Sequence, residues 1–344
     1  MMNIYQESGY LDIREILRQN LPFNFIIGNR ACGKTYGALE TAVEDGITFL
    51  FMRRTQAQAD IINKQEFSPF KVLNVDKGWT VGTSPITKYN SAFYEMQESD
   101  GKLTPVSGPI GYTAALSTFS NIRGFDGSDI KLLIYDEFIP EKHERPIKGE
   151  ATAFFNTYET INRNRELTGQ PPLQCLCLAN ANDLANPIFL ELNLVRRCEK
   201  MRASGQEVYI DRKRGIGLYI LHDSPIAKKK AQTALYKMVG DGQFSQMSLG
   251  NDFSMEERSR IESRKLSEYK PLVMIGELTI FRHKSRREYY VAACKAGGCP
   301  VFGTGDVERA RFRRAYGNIW LEYLRDHIIF EEYLCEILFK KYYT

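Results

Sequence analysis

The sequence predicts an α/β protein in which a parallel sheet forms the first domain and a smaller α+β unit follows it. Over the first 195 residues, short apolar segments alternate with amphipathic ones, and this alternation is typical of parallel sheets. A glycine-rich loop joins the first apolar segment to the first amphipathic one. Beyond residue 195 the alternation stops, and a chain of 344 residues is long enough for two hydrophobic cores.

The first domain opens with a strand, a loop and a helix. Residues 23–27 (FNFII) predict a short buried strand, and 36–44 predict a helix because apolar residues recur there at helical spacing. Residues 47–53 predict a second strand that is buried on both faces, since the segment is almost entirely apolar. Weaker strand patterns follow at 70–75, 91–97 and 111–118.

Two further buried strands and a helix complete this domain. The strands are predicted at 131–136 and 173–179, and the helix at 151–165. In the second unit we expect a strand hairpin and then two helices, at 272–281, 289–293, 306–326 and 328–342. The predicted organisation is therefore an α/β domain, a basic linker or lid, and a C-terminal domain, over 1–205, 206–250 and 251–344.

The charge distribution singles out one segment. Residues 196–230 contain ten Lys or Arg residues against four Asp or Glu residues, a net charge of +6, whereas the whole chain carries +4. Such a segment suits a polyanionic partner. A solvated connection between domains is the equally good alternative.

Cysteine usage and the apolar segments limit the compartment. Seven cysteines in a chain of this length do not suggest a disulfide framework, and no second pair at zinc-ligand spacing accompanies Cys294 and Cys299. No apolar run is long enough to span a bilayer, so we expect no membrane partner. Residues 1–16 lack the apolar core of a signal peptide. We therefore expect a cytoplasmic protein.

The glycine-rich loop has the pattern G-x-x-x-x-G-K-[ST]. The glycines let backbone N–H groups face phosphate oxygens, Lys34 can reach the β- and γ-phosphates, and Thr35 can offer its hydroxyl to Mg²⁺. The predicted strand before the loop and helix after it provide the required context, whereas a chance glycine-rich turn is the competing interpretation. The loop therefore predicts a nucleotide-binding site formed by Gly28, Asn29, Arg30, Ala31, Cys32, Gly33, Lys34 and Thr35.

An acidic pair about 100 residues further on supplies what hydrolysis needs. The apolar segment 131–136 brings Asp136 to the carboxyl edge of the sheet, where ligands bind in open α/β folds. We expect Asp136 to hold Mg²⁺ together with Thr35, and Glu137 to act as general base on the attacking water. A strand that merely ends in an acidic turn is the alternative. The chain lacks the Asn-Lys-x-Asp motif of small GTPases, and an adjacent Asp–Glu pair suits ring-forming motor ATPases.

Other polar residues at predicted strand and helix ends are weaker candidates. Asn180 follows the strand at 173–179 and could sense the γ-phosphate, although Asn often simply closes a strand. Arg163 and Arg165 lie at a predicted helix end, where one could serve a neighbouring subunit as an arginine finger, although surface arginines that pair with acids are equally common. Arg53 and Arg54 end the second strand, where they could meet phosphate or DNA, although a structural ion pair is the more common use of arginine.

These segments together resemble the podoviral DNA encapsidation proteins, the packaging-motor ATPases of small tailed phages. The resemblance is strong over 20–195 and thin beyond 250. It rests on segments that occur in the same order, at 25–35, 51–54, 134–142, 163–166, 175–180, 186–189 and 192–195, with a fainter match at 241–242 and 246–249.

The resemblance implies a RecA/ASCE-type ATPase domain joined by a linker to a small RNase H-like domain. It also implies a ring of five subunits on the portal of an empty prohead, which uses ATP and Mg²⁺ to move double-stranded DNA. Arg163 would act on the neighbouring subunit's ATP, and Arg123 and Lys142 would contact DNA phosphates in the pore. Phosphate contacts read no base sequence. The location would be the host cytoplasm and, transiently, the portal vertex, but not the mature virion.

The C-terminal unit departs from the larger terminases, whose nuclease domains need several clustered carboxylates. Its predicted first strand offers only Glu277, so we expect a non-cleaving domain that docks and grips DNA. A scaffold RNA or the portal alone could receive it. The competing functions are another ring translocase or helicase, a terminase with an active nuclease, and a nucleotide-switched binding protein.

Overall fold

The computed structural model describes residues 2–344 except 31, 100–101, 123, 142–143, 146, 181–183, 223, 227–231 and 241–257. The chain folds into two compact units, Met1–Ser254 and Met255–Thr344. All seven cysteines carry free thiols, and five of them are buried. Among the described helices, none is long and apolar enough to cross a membrane.

A ten-stranded sheet forms the centre of the first unit. Its strands are Phe23–Ile27 (β1), Phe49–Arg53 (β2), Val81–Pro85 (β3), Ser91–Ser99 (β4), Lys102–Pro105 (β5), Gly111–Ala115 (β6), Leu132–Asp136 (β7), Gln174–Ala179 (β8), Val208–Asp211 (β9) and Ile216–Ile220 (β10). Their order in the sheet is β3-β4-β6-β2-β7-β8-β1-β10-β9, with β5 paired to β4. The six adjacent strands β6, β2, β7, β8, β1 and β10 run parallel, whereas β3, β4, β5 and β9 pair antiparallel at the margins.

The central strands β1, β2, β7 and β8 are buried along almost their whole length. This burial explains their nearly continuous apolar sequences, and it confirms the strands predicted around the two motifs. The fold is thus mixed α/β with a large, mainly parallel sheet, as predicted. The helices of this unit are Ile13–Leu17 (α1), Lys34–Glu44 (α2), Gln56–Ile62 (α3), Lys71–Lys77 (α4), Glu150–Asn162 (α5), Pro187–Glu191 (α6), Val195–Ser204 (α7) and Ala234–Val239 (α8), with 3₁₀ turns at Gln65–Phe67, Leu116–Ile122 and Glu166–Thr168.

The strand predicted at 70–75 is wrong, because this segment forms α4. Leu73 is fully buried, whereas Val72 and Val75 expose 58% and 81% of their surfaces. Only Leu73 of this short helix therefore faces the core, while Val72 and Val75 face solvent, and so short an apolar pattern does not distinguish a helix from a strand.

The structure also differs from the predicted linker over 206–250. The strands β9 and β10 belong to the main sheet, and β10 pairs with β1 from Phe23↔Ile216 to Ile27↔Ile220. All five residues of β10 are buried, so the α/β domain continues beyond residue 205. In the turn between these strands, Arg214 donates to the carbonyl oxygen of Leu192 at 2.7 Å. Much of the remaining predicted linker lies outside the described residues.

The second unit is a five-stranded sheet with two long helices. Its elements are Tyr269–Ile275 (β11), Leu278–His283 (β12), Tyr289–Ala292 (β13), Val301–Phe302 (β14), Asp306–Leu324 (α9), Ile328–Phe330 (β15) and Tyr333–Tyr343 (α10), with 3₁₀ turns at Arg258–Arg260 and Leu266–Glu268. The strand order is β14-β11-β12-β13-β15; the middle three strands are antiparallel, and each edge strand runs parallel to its neighbour.

Two predictions for this unit need correction. The single strand expected at 272–281 is two strands joined by a turn, in which Gly276 has φ +55°. Glu277 therefore lies in the turn and not within a strand. The helix expected from 328 begins only at Tyr333, because residues 328–330 pair with β13 as an edge strand.

A buried carboxylate of the second unit is fully committed to ion pairs. Arg287 donates two hydrogen bonds to Glu322, from Nε to Oε2 at 2.9 Å and from Nη2 to Oε1 at 2.5 Å. His327 Nδ1 lies 2.7 Å from Oε2, and Arg325 Nη1 lies 3.2 Å from Oε1. Arg287 and His327 together lower the pKa of Glu322 to about 2. This carboxylate therefore stabilises the fold, because it joins α9 to the residues before β13.

A second buried ion pair fixes the edge of the main sheet. Arg54, just after β2, is fully buried and donates from Nε to Glu150 Oε1 at 2.7 Å and from Nη2 to Oε2 at 3.1 Å. Glu150 is the first residue of α5, and it also accepts from the Tyr135 hydroxyl on β7 at 3.3 Å. The pair therefore ties α5 to two central strands, in keeping with the structural use of arginine.

Glu150→Gln should lower the free energy of unfolding of the first unit by up to about 3–5 kcal/mol, because the buried guanidinium then keeps only the partly exposed Glu144 as a counter-ion, 3.1 Å from its Nη1. Urea unfolding followed by Trp79 fluorescence in a Trp320→Phe background measures this. The matched control is Glu15→Gln, whose partner Arg18 exposes 70% of its side chain and which should cost no more than about 1 kcal/mol. Equal losses in the two variants would contradict the assignment.

Candidate active site

The glycine-rich loop connects β1 to α2. Gly33 caps α2 with φ +90°, a backbone conformation that favours glycine. At Gly28, a Cβ atom would lie 2.7 Å from Leu221 Cδ1, so only glycine lets the loop pack this closely on the end of β10. Ala31 lies outside the described residues.

The side chain of Lys34 folds back onto the start of the glycine-rich loop. Its side chain is almost buried, at 7% exposure. Its ammonium group donates to the carbonyl oxygens of Gly28 and Asn29 at 2.9 and 2.8 Å, and to Asn180 Oδ1 at 3.3 Å. Since Asn180 directly follows β8, the structure brings the two predicted phosphate contacts together. An ammonium group that reaches three oxygens at one point is placed to meet phosphate oxygens there.

The two residues predicted to hold Mg²⁺ also lie together. Thr35 Oγ1 donates to Asp136 Oδ1 at 3.0 Å. Asp136 is the last residue of β7 and is 4% exposed. A hydroxyl and a carboxylate oxygen at this distance fit the hard oxygen ligands that Mg²⁺ prefers, with positions left for phosphate and water. The donor set therefore suits the ion.

Glu137 follows Asp136 in a strained backbone conformation. Its φ is +56°, a region that non-glycine residues rarely adopt and that often marks functional sites. Its side chain is half-exposed and pairs with Arg53 Nη1 at the end of β2. Arg53 Nη2 also lies 3.5 Å from Asp136 Oδ2. One guanidinium thus balances both acids. The sequence favoured an ion pair for Arg53 but did not identify these partners, because the contact joins two neighbouring strands that are far apart in the chain.

These groups surround a cavity of about 420 Å³. One further contact at its rim was also missed, a salt bridge from Arg30 Nη2 to Glu141 Oε1 at 2.5 Å. The lining residues are Arg30, Gly33, Lys34, Thr35, Tyr36, Asp136, Glu137, Ala179 and Asn180.

Arg163 is not among the described residues that line this cavity. It caps the end of α5 with φ +51° and ψ −137°, and half of its side chain is exposed. Its Nη2 lies 3.3 Å from Asp126 Oδ1, an acid that is itself 71% exposed. Arg165 instead donates to the carbonyl oxygens of Ser128 and Ile130, at 3.0 and 2.5 Å, so its role is structural. The predicted DNA contacts Arg123 and Lys142 lie outside the described residues.

A P-loop lysine, a Thr–Asp pair and an adjacent glutamate at the carboxyl edge of a parallel sheet define a P-loop ATPase. The chain matches the family model of the Podovirus DNA encapsidation protein (Gp16) over residues 5–281. It therefore belongs to this family.

Relatives and solved structures agree with this membership. The chain is 27% identical over 270 residues to the DNA packaging protein of Bacillus phage phi29, covering 75% of this chain and 70% of that protein. It is 24% identical over 252 residues to the DNA packaging protein of Bacillus phage B103, covering 70% and 67%.

Two solved structures share the fold over nearly the whole chain. The first is a chain of the bacteriophage Phi-29 viral genome packaging motor assembly, with a TM-score of 0.65, 20% identity, and coverage of 99% of this chain and 100% of that one. The second is a chain of the Phi-28 gp11 DNA packaging motor, with a TM-score of 0.64, 18% identity, and coverage of 97% and 96%.

Arg53→Gln should lower the free energy of unfolding of the first unit by about 1–3 kcal/mol, because Asp136 and Glu137 lose their shared cation. Adding Mg²⁺ should raise the free energy of unfolding more in Arg53→Gln than in the wild-type protein, since a bound cation again balances the acids. Thermal unfolding with and without Mg²⁺ measures both effects. Arg53→Lys keeps the charge and should stay close to wild type. An equal response of wild type and Arg53→Gln to Mg²⁺ would contradict this account.

Proposed function

We propose that this chain is the ATP-driven motor that moves double-stranded viral DNA into an empty phage prohead. The observation that carries the proposal is the site at the sheet edge, where Lys34, the Thr35–Asp136 pair and Glu137 line one cavity. Membership of the DNA encapsidation family supplies the substrate, since a P-loop site by itself indicates only nucleotide chemistry.

Each residue of the site has a role in this proposal. Lys34 and the loop N–H groups bind the phosphates, and Asn180 contacts the γ-phosphate. Thr35 and Asp136 hold Mg²⁺, which when bound would neutralise charge on the phosphates. Glu137 accepts the proton of the attacking water at a carboxylate oxygen. Arg53 pairs with Oε2 of that carboxylate, so Oε1 is the oxygen that can accept the proton while the pair is intact.

We propose that Arg163 completes the site of a neighbouring subunit in a ring of five. Its side chain is half-exposed, it pairs only with an exposed acid among the described residues, and it lies at the very end of α5. A cation held at the surface in this way is available to stabilise charge on a neighbour's nucleotide. Arg123 and Lys142 are proposed to contact DNA phosphates in the pore of that ring.

For the second unit we propose an RNase H-like domain that does not cleave and instead docks and grips DNA. Glu277 lies in a turn, and the buried carboxylate of Glu322 is engaged by two arginines and a histidine. Neither is therefore placed as part of a carboxylate cluster for metal. A basic cleft lined by Lys270, Arg282, Lys284, Arg286 and Arg287 suits a phosphate backbone. The motor would work in the host cytoplasm at the portal vertex, with or without a scaffold RNA.

Steady-state ATP hydrolysis by the purified chain, with and without double-stranded DNA, tests the proposal. We expect hydrolysis that rises with DNA of any sequence and falls with salt, because phosphate contacts are screened. Glu137→Gln should lose at least about 100-fold in kcat, since it lacks the general base. Because we propose that the second unit does not cleave DNA, the DNA should be recovered at full length after the assay, even when Mn²⁺ is added.

A mixture of subunits tests the contribution of Arg163. Glu137→Gln and Arg163→Ala should each be inactive alone. Mixing them should restore part of the activity, because a Glu137→Gln subunit can supply its intact Arg163 to the site of a neighbouring Arg163→Ala subunit, which keeps its own Glu137. Hydrolysis that is retained in Glu137→Gln would overturn the assignment of the base. The absence of any recovery on mixing, at concentrations where the wild type is active, would place Arg163 outside the neighbour's site.

A further inference from the structure

An N-terminal turn, residues 5–11, lies against the phosphate loop. Tyr5 and Leu11 form an antiparallel bridge. Within the turn, Gln6 N–H donates to the carbonyl oxygen of Tyr10 at 2.8 Å, and Gly9 N–H donates to that of Gln6 at 2.9 Å. These bonds fix the conformation of a segment that precedes the first strand of the sheet.

The turn is attached to the loop itself. Leu11 N–H donates to the carbonyl oxygen of Cys32 at 3.1 Å, and both side chains are buried. On its other side Gly9, with φ +91°, packs so closely on Pro225 that a Cβ atom would lie 3.1 Å from the proline Cβ. Tyr10 is therefore held between two residues whose positions the packing determines.

The side chain of Tyr10 lies on the backbone of the loop. A Cβ atom on Gly33 would lie 3.1 Å from Tyr10 Cδ1 and 3.3 Å from its Cβ. Tyr10 nevertheless exposes 43% of its surface. A ring that packs on the phosphate loop and still exposes a large part of its surface to solvent is well placed for a ligand of that loop.

The chemistry of the loop gives the direction in which such a ligand extends. Asp136, Glu137 and Lys34 line the cavity together, and the two acids define its γ-phosphate end. The base of a nucleoside triphosphate extends away from that end, and Tyr10 packs on Gly33, which lines the same cavity. An exposed aromatic ring binds a nucleobase by stacking.

We propose that Tyr10 forms a stacking surface for the purine base of the bound nucleoside triphosphate. This inference rests on the proposed ATP site and adds the residue that binds its base. Stacking needs no hydrogen-bond pattern, so Tyr10 contributes affinity for a purine rather than discrimination between adenine and guanine. The hydroxyl is not required, because the ring alone supplies the stacking surface.

Calorimetric titration of the full chain with a non-hydrolysable ATP analogue and with inorganic tripolyphosphate, both with Mg²⁺, tests the proposal. Tyr10→Ala should weaken binding of the analogue about 5- to 150-fold and leave tripolyphosphate binding unchanged, since that ligand has no base. Tyr10→Phe should bind both ligands like wild type. Phe67→Ala, which removes an aromatic side chain of 62% exposure on another element, is the matched control.

The other outcomes are equally informative. If Tyr10→Ala weakens both ligands to the same extent, the residue only supports the loop, and the stacking proposal is wrong. If it weakens neither, the ring does not contact the base. The stacking proposal is also wrong if the wild-type chain binds the ATP analogue no more tightly than it binds tripolyphosphate. A chain that binds neither ligand contradicts the ATP site itself.

Discussion

The in-register pairing of parallel strands at one edge of the main sheet determines where the candidate site lies. β8 pairs with β1 up to Ala179↔Ile27 and with β7 up to Leu178↔Asp136, while β2 pairs with β7 up to Met52↔Tyr135. Because parallel strands end on the same side, the residue that follows each strand projects into one region. The phosphate loop, the acidic pair, the amide of Asn180 and the guanidinium of Arg53 meet there for this reason, although more than 100 residues separate some of them.

This edge also concentrates opposite charges in partly buried surroundings. Lys34 and Asp136 are 7% and 4% exposed, and Arg53 lies between Asp136 and Glu137. Charges with little access to water must be balanced by neighbours. In the proposed ATP site, a triphosphate would compete with the carbonyl oxygens of Gly28 and Asn29 for Lys34, whereas Arg53 balances the two acids. The buried Arg54–Glu150 pair joins the end of β2 to α5 at the same edge. It therefore holds the backbone around the site in place.

The sequence predicted the parts of the fold that surround this site, because strands buried on both faces have nearly continuous apolar sequences. It failed where the pattern was short or interrupted. The basic turn around Arg214 masked the buried strand β10, and the apolar residues of 71–77 suited a strand as well as a helix. The link of Arg53 to both acids and the contact of Tyr10 with Gly33 depend on tertiary packing, and no spacing in the sequence indicates them.

DNA packaging into empty proheads tests the central claim most directly. Proheads, linear double-stranded genome DNA, ATP and the purified chain are combined, and the DNA that is protected from nuclease digestion is measured. The account predicts protected, full-length DNA with the wild-type chain and none with Glu137→Gln or with a non-hydrolysable ATP analogue. Two results would contradict the assignment of this chain as the motor. One is DNA protection that persists without ATP hydrolysis, and the other is the absence of protection although the wild-type chain hydrolyses ATP in the complete mixture.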